Sequence, residues 1–201
     1  GNTSANQSVG HGLSSAPEMI LVKNRTNATQ WIVLHKGIAS DYETDYVALN
    51  TTAAAADDIR IWNDTEPTAS LFTVGIENDV NKLNSSYIAY CFHSVTGYSK
   101  FGSYTGNGSA TGPVVTTGFA PAFVLIKPSS AADHWMIYDN ARSPTNPAGD
   151  ILFPNRTNAE AVNHSQAIDF LSTGFQLKSN NTGSNGNGTT YIAYCFHSVD
   201  G

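Results

Sequence analysis

A chain of 201 residues with 40% hydrophobic and 13% charged residues has enough apolar mass for one large β domain or two small ones. Its net charge of -6 and pI near 5.3, with Lys and Arg scattered singly, leave no basic stripe to neutralise phosphates, which excludes nucleic acid as an expected partner. No apolar run of about 18 residues suits a membrane span, and the opening GNTSANQS lacks the charged and apolar regions of a signal peptide, so any export signal is expected to be removed or to lie outside the chain.

In chain order, short β-branched and aromatic runs alternate with Gly, Pro, Asn, Asp and Thr. They are EMILVK (Glu18–Lys23), QWIVLHK (Gln30–Lys36), YVALN (Tyr46–Asn50), SLFTV (Ser70–Val74) and SYIAYCFHSV (Ser86–Val95). The single helix candidate, TTAAAADD (Thr51–Asp58), is a turn or two at most. The pattern then returns as FVLIK (Phe123–Lys127), HWMIYD (His134–Asp139), DILF (Asp150–Phe153), FQLK (Phe175–Lys178) and TYIAYCFHSV (Thr190–Val199). Closely spaced strands without crossover helices predict antiparallel sheets in a β-sandwich or jelly roll. In YIAYCFHSV, Tyr87, Ala89 and Cys91 point one way and Ile88, Tyr90 and Phe92 the other, so the strand is expected to be central and covered on both faces.

The chain is internally duplicated. YIAYCFHSV recurs unchanged from Tyr87 to Tyr191, an offset of 104, and the same offset relates APEMILVK (from Ala16) to APAFVLIK (from Ala120) and Trp31 to Trp135. GNTSANQSVGHGL at the start resembles GNGSATGPVVTTGF from Gly106. The expected fold is all-β: two tandem, internally duplicated β-sandwich (jelly-roll-like) domains, 1–97 and 106–201, with 98–105 a linker or an extra strand between the repeats. Trp31 should superpose on Trp135, and Cys91 on Cys195.

APEMILVKNRT, YVALNTTAAAA, YIAYCFHSVTGYSKFGSYTGNGSATGP, TGFAPAFVLIK and DFLSTGF together resemble a tandem-repeat domain of unknown function found in tail-fibre and other virion structural proteins of marine phages. The resemblance covers nearly the whole chain, and GYSKFGSYTGNGS is its most specific part. It implies a β-sandwich in an extended surface appendage and implies no catalytic residue.

Twelve N-x-S/T sequons, at Asn2, Asn6, Asn24, Asn27, Asn50, Asn63, Asn84, Asn107, Asn155, Asn163, Asn180 and Asn187, exceed the roughly four that chance would supply. They point to an N-glycosylated protein at the cell surface, outside the cell or on a virion, although Asn, Ser and Thr also crowd β-turns for conformational reasons. Asn24, Asn63, Asn107 and Asn187 lie in polar turn stretches and are expected to reach solvent.

Signals for catalysis are thin. His93 and His197 are explained by the duplication, and His11, His35, His134 and His164 have no partner at metal-ligand spacing. No nucleophile elbow or phosphate-binding glycine loop stands in a strand-to-helix context. Acidic neighbours such as Asp57 with Asp58 and Asp41 with Glu43 read as solvated loop groups, so no enzyme, metal or cofactor is expected beyond covalent glycans. Cys91 and Cys195 read as buried free thiols, and Trp31 and Trp135 as core anchors. Trp62, which has no counterpart in the second repeat, is a candidate contact residue as well as a core candidate, and Tyr98, Phe101 and Tyr104 are candidates for a groove or interface.

Three readings follow. The first is a structural subunit of a filament, fibre or coat that self-associates into a homopolymer through contacts at Gly1–Val9 or Ser198–Gly201 and at the inter-repeat segment. The second is a carbohydrate-binding or host-adhesion module that takes a surface glycan or receptor, and the third a sandwich-fold glycan hydrolase.

Overall fold

In the computed structural model, which describes residues 1–198, apolar strands alternate with turns rich in Gly, Asn and Ser. The first half carries β1 (Gln7–Gly10), β2 (Met19–Asn24), β3 (Trp31–His35), β4 (Asp45–Ala48), β5 (Ala56–Asp57), α1 (Ile59–Trp62), β6 (Leu71–Val74), α2 (Asn78–Asn81) and β7 (Tyr87–Phe92). The second carries β8 (Ser99–Thr105), β9 (Val114–Thr116), β10 (Pro121–Pro128), β11 (Met136–Asp139), β12 (Ile168–Leu171), β13 (Gly174–Leu177), α3 (Thr182–Asn185) and β14 (Thr190–His197). The protein is mostly β, with helices confined to single turns. Residues 199–201, which include the end of the expected terminal contact, lie outside the described residues.

The chain divides into two units: one of Gly1–Asn50 with Ala55–His93, the other of Thr51–Ala54 with the chain from Ser94 onward. In the first unit β1 pairs with β6, and a second sheet runs β5-β4-β3-β2-β7. Residues of one parity along β2 and β3, Ile20, Val22, Ile32 and Leu34, meet Phe72 and Val74 of the other sheet together with Trp62 and Val80 in one buried cluster. Each fully buried side chain of this size contributes roughly 1.5–3 kcal/mol. The second unit has sheets β11-β10-β14-β8 and β12-β13-β9, with Val124, Ile126, Tyr138, Phe175, Leu177 and Tyr191 at the centre of its core. All strand pairs named here are antiparallel.

The pairing registers of the two units coincide at the offset of 104. Ile20 stands opposite Leu34 and Cys91, and Val124 opposite Tyr138 and Cys195. The one-turn helices are pinned alike. Asn81 Nδ2 donates to Gly75 O (2.8 Å), Ser4 O (2.9 Å) and Asn2 Oδ1 (3.3 Å). Asn185 Nδ2 donates to Ser179 O (2.8 Å), Ser109 O (2.8 Å) and Asn107 Oδ1 (2.9 Å). A buried amide that meets three acceptors fixes the segment leading into each unit against its helix, because any acceptor left unpaired there would carry a desolvation cost.

Several expectations need correction. TTAAAADD forms no helix: Ala56–Asp57 is extended as β5, and the helical turn starts one residue past Asp58, whose carboxylate caps it by accepting from Arg60 N (3.0 Å). DILF makes only isolated bridges, Ile151 to Ala161 and Leu152 to Ile137, because Pro154 removes the next donor and stops the ladder. YIAYCFHSV is a covered central strand only in the second unit, where β14 lies between β10 and β8. In the first unit β7 is a sheet edge, with Ile88, Ala89 and Tyr90 exposed. The segment 98–105 supplies β8, a strand of the second unit.

Candidate functional site

The two units differ most at the edge of β7, and the second unit shows what that edge lacks. There β8 lies along β14 with Tyr104 opposite Tyr191 and Phe101 opposite Tyr194. The Tyr104 ring stacks on Tyr191 (4.9 Å between centroids, 9° between planes) and meets Phe175 edge-on at 6.1 Å. Its hydroxyl donates to Ser184 O (2.7 Å). Burial holds this phenol well above its ordinary pKa, so it stays a neutral donor. On the other face of β8, Phe101 is buried and meets Tyr194 and Phe196 edge-on at 6.0 and 5.8 Å.

At the corresponding place in the first unit there is a cavity of about 640 Å³, lined by Val9, Phe72, Val74, Val80, Tyr87 and Ala89 among others. Register assigns each lining position a twin. Val9 stands opposite Phe72 on β1 and β6 as Val115 stands opposite Phe175 on β9 and β13. Tyr87 and Ala89 hold the places of Tyr191 and Ala193, and Val80 that of Ser184. No carboxylate lines the cavity among the described residues; its wall is largely aliphatic, aromatic and amide, with Arg25 the one charged side chain in the lining. The Tyr87 hydroxyl is already engaged: it accepts from Lys82 N (2.6 Å) and Asn24 Nδ2 (3.0 Å) and donates to Asn78 O (2.8 Å).

Main-chain groups complete the site. Arg25 N donates to Ser86 O (2.8 Å), and in an antiparallel ladder the bonding residues alternate. Ser86, Ile88 and Tyr90 therefore bond toward β2, while the N–H and C=O groups of Tyr87, Ala89 and Cys91 face away from it. The chain enters beside this edge as it does in the twin: the Gly1 nitrogen donates to Ser85 O (2.6 Å) and Gly106 N to Thr189 O (2.9 Å). A Cβ at Gly1 or Gly106 would run into the main-chain carbonyl of Lys82 or Gly186, which is why this close approach takes glycine. Such an arrangement is suited to holding an extended strand with an aromatic side chain. It is poorly suited to nucleophilic chemistry, because burial pushes the Cys91 thiol up to about 11 and leaves it protonated near neutrality.

Of the four candidate contact residues, only Tyr98 is exposed, at 54%. Trp62 is 1% exposed and packs in the first core, and its indole N–H meets no partner among the described residues. Phe101 and Tyr104 are internal to the second unit, as described above. Alternation along 98–105 shows that two faces exist but not that both are covered. Trp135 is fully buried, whereas Trp31 is half-buried with Lys23 Nζ 5.9 Å from its ring. The thiols of Cys91 and Cys195 are unpaired with one another.

Among the sequons, Asn6, Asn84, Asn163, Asn180 and Asn187 are exposed, as are Asn2, Asn50 and Asn107. Asn2 and Asn107 already spend their amides on Gln7 Oε1 and Thr111 O (2.9 and 3.3 Å). Asn27, Asn63 and Asn155 are half-buried. Asn24 corrects the expectation that its side chain reaches solvent. It is 2% exposed, and its Nδ2, the atom a glycan would take, donates to Tyr87 Oη and Asn78 O while its Oδ1 accepts from Thr26 N and Asn27 N.

The histidines serve local structure: Nδ1 of His11, His35 and His164 each accepts from the backbone N–H two residues on. Among the described residues no three His, Cys, Asp or Glu side chains gather as a metal set, and no helix is long and apolar enough to cross a membrane.

No curated protein and no solved structure matches the chain. A family profile does match, across residues 1–199. The chain therefore belongs to DUF7483, a domain family of unknown function.

Proposed function

We propose that the protein is a structural subunit of a glycosylated extracellular or virion filament, fibre or coat, built of two tandem duplicated β-sandwich units of jelly-roll-like form. The observation that carries this reading is the repetition of supporting contacts, bond for bond, around Asn81 and Asn185. Such repetition conserves a building element and its junction, as tandem architectures do. The resemblance to tail-fibre repeats points the same way, and exposed sequon asparagines on both units provide for a glycan coat. Its self-association makes a homopolymer, and it uses no cofactor.

Light scattering and negative-stain microscopy of the full chain made in glycosylating cells test this. The expected result is elongated particles well above the 21.4 kDa of one chain, with contacts that bury more than about 1,000 Å². A glycan-free chain that stays monomeric at high concentration would overturn it. The second reading, a carbohydrate-binding or host-adhesion module, draws on the exposed ring of Tyr98, and specific glycan-array binding lost in Tyr98→Ala would favour it.

A further inference from the structure

We propose that a small cavity beside α1 seats the first sugar of a glycan carried by Asn63, a neutral N-acetylhexosamine whose ring and acetamide methyl rest on Ile59 and Ile76. The cavity has a volume of about 170 Å³ and is lined by Ala5, Ile59, Arg60, Asn63, Gly75 and Ile76. Pockets for free small molecules begin at roughly 300 Å³, so this one has room for a single ring and little more. Ile59 and Ile76 are 57% and 45% exposed and stand outside the buried cluster of their unit. The fold does not require an apolar side chain at the second of these positions. Asn81 Nδ2 donates to Gly75 O as Asn185 Nδ2 donates to Ser179 O, which makes the exposed Asn180 the twin of Ile76. The apolar wall is therefore peculiar to this cavity, and a covering group gains by removing it from water.

Charge and tether identify the occupant. Arg60 is the one charged residue in the lining, and its guanidinium is held by Asp58 (2.6 Å) and Glu77 (3.0 Å). With that charge matched, the cavity suits a neutral group. Asn63 closes α1 in the left-handed region at φ 56°, where its backbone N–H donates to Ile59 O (2.9 Å) and where asparagine is tolerated better than most residues. Its side-chain Nδ2, the atom a glycan takes, makes one long contact of 3.5 Å, to Thr65 Oγ1 of its own sequon, and that hydroxyl donates to Asn63 O (2.7 Å). Asn24 Nδ2, by contrast, is spent on two acceptors. An asparagine that both lines the cavity and keeps its amide available delivers its first sugar there at high effective concentration.

The inference deepens the glycosylated-coat reading and rests on it for the sugar. The attachment transfers the glycan from a lipid-linked pyrophosphate donor. A bond forms between Asn63 Nδ2 and the anomeric carbon, the bond from that carbon to the pyrophosphate oxygen breaks, and the amide gives up one proton as the lipid pyrophosphate leaves.

The test uses the full chain made in glycosylating cells and trimmed with an endoglycosidase that leaves one N-acetylglucosamine per site, against the chain from cells that do not glycosylate. Glycopeptide mapping should find Asn63 occupied. Nuclear Overhauser contacts should join the acetamide methyl of that sugar to the methyl groups of Ile59 and Ile76. Amide exchange at Asn63 and Gly75, which donate to Ile59 O and Ile61 O, should slow by about threefold or more. Ile76→Asn, which installs the residue of the twin, should leave Asn63 occupied but abolish the slowing, with β2–β3 exchange unchanged as the check that the unit is folded.

A bare Asn63 beside occupied Asn6, Asn84 and Asn187, or an occupied Asn63 whose sugar makes none of these contacts, would overturn the proposal and leave the glycosylated coat standing. So would contacts made by the sugar on Asn6, the neighbour of Ala5, and lost in Asn6→Gln. The absence of glycan at every sequon would remove the coat reading and this seat together.

Discussion

Tyr90 and Tyr194 stand at the same place in the same repeated strand, yet Tyr90 is 44% exposed and Tyr194 is 1% exposed. Phe101 meets the Tyr194 ring edge-on at 6.0 Å and Trp135 lies 5.9 Å from it. Identical sequence thus acquires different surroundings from the strand laid beside it, and the consequences can be measured.

Trp62 and Tyr98 should separate sharply under mutation. Trp62→Ala empties a core position and is expected to cost roughly 3–5 kcal/mol. Tyr98→Ala removes an exposed ring and should change stability by less than about 0.5 kcal/mol. Urea unfolding followed by far-UV circular dichroism measures both, and equal effects would contradict the placement of Trp62.

Asn81→Ala and Asn185→Ala should each destabilise by about 2 kcal/mol, since the substitution removes several hydrogen bonds at once and leaves one buried carbonyl, Gly75 O or Ser179 O, without its partner. Because the network is local to a unit, exchange protection should fall in the first unit for Asn81→Ala and in the second for Asn185→Ala. Loss spread evenly over both units in either variant would argue against independent networks.

Alkaline stability should show two opposed limbs. Burial pulls the Lys127 ammonium down to about 8 from 10.5, so between those values the unfolded chain binds more protons and stability rises with pH. Burial pushes the thiols of Cys91 and Cys195 up to about 11 and about 12 from 9.0. There the folded chain binds more protons, and stability falls as pH climbs from 9.0 through those values. Lys127→Met should flatten the first limb and Cys195→Ala should shallow the second in denaturant midpoints taken from pH 7 to 11.

Glycan occupancy should follow exposure rather than sequon count. In chain made by glycosylating cells, glycopeptide mapping is expected to find Asn6, Asn84, Asn163, Asn180 and Asn187 modified and Asn24 bare. Occupied Asn24 would require the Tyr87 hydroxyl network to be open when the sugar is attached.

The strands of the two nonapeptides, of EMILVK and FVLIK, and of the Trp31 and Trp135 segments could be read in advance because hydrophobic runs bounded by turn residues leave few alternatives. Their shared offset carried the registers as well. The short strands β1, β9 and β12 were silent: Gln7–Gly10 and Val114–Thr116 are mostly exposed and owe their form to the partner strand, not to their own pattern. The site was half legible. That the Tyr98–Thr105 segment forms a strand or a linker was visible, but that Tyr104 turns inward to stack on Tyr191 depends on pairing across 87 residues (191 minus 104), which no local pattern encodes.

The second folded unit begins well before the Gly-Asn pair at which the sequence resembles the start of the chain. It takes up the chain at Ser94 and needs β8 before the Gly-Asn pair at Gly106 is reached. A fragment cut at the sequence boundary, 106–201, would leave behind the strand that seats Tyr104 and bare the Ile192 and Tyr194 side of β14. Expression of a single repeat should therefore start near residue 94, and a chimera spliced at Gly106 would inherit its sheet edge from whatever donor lies upstream.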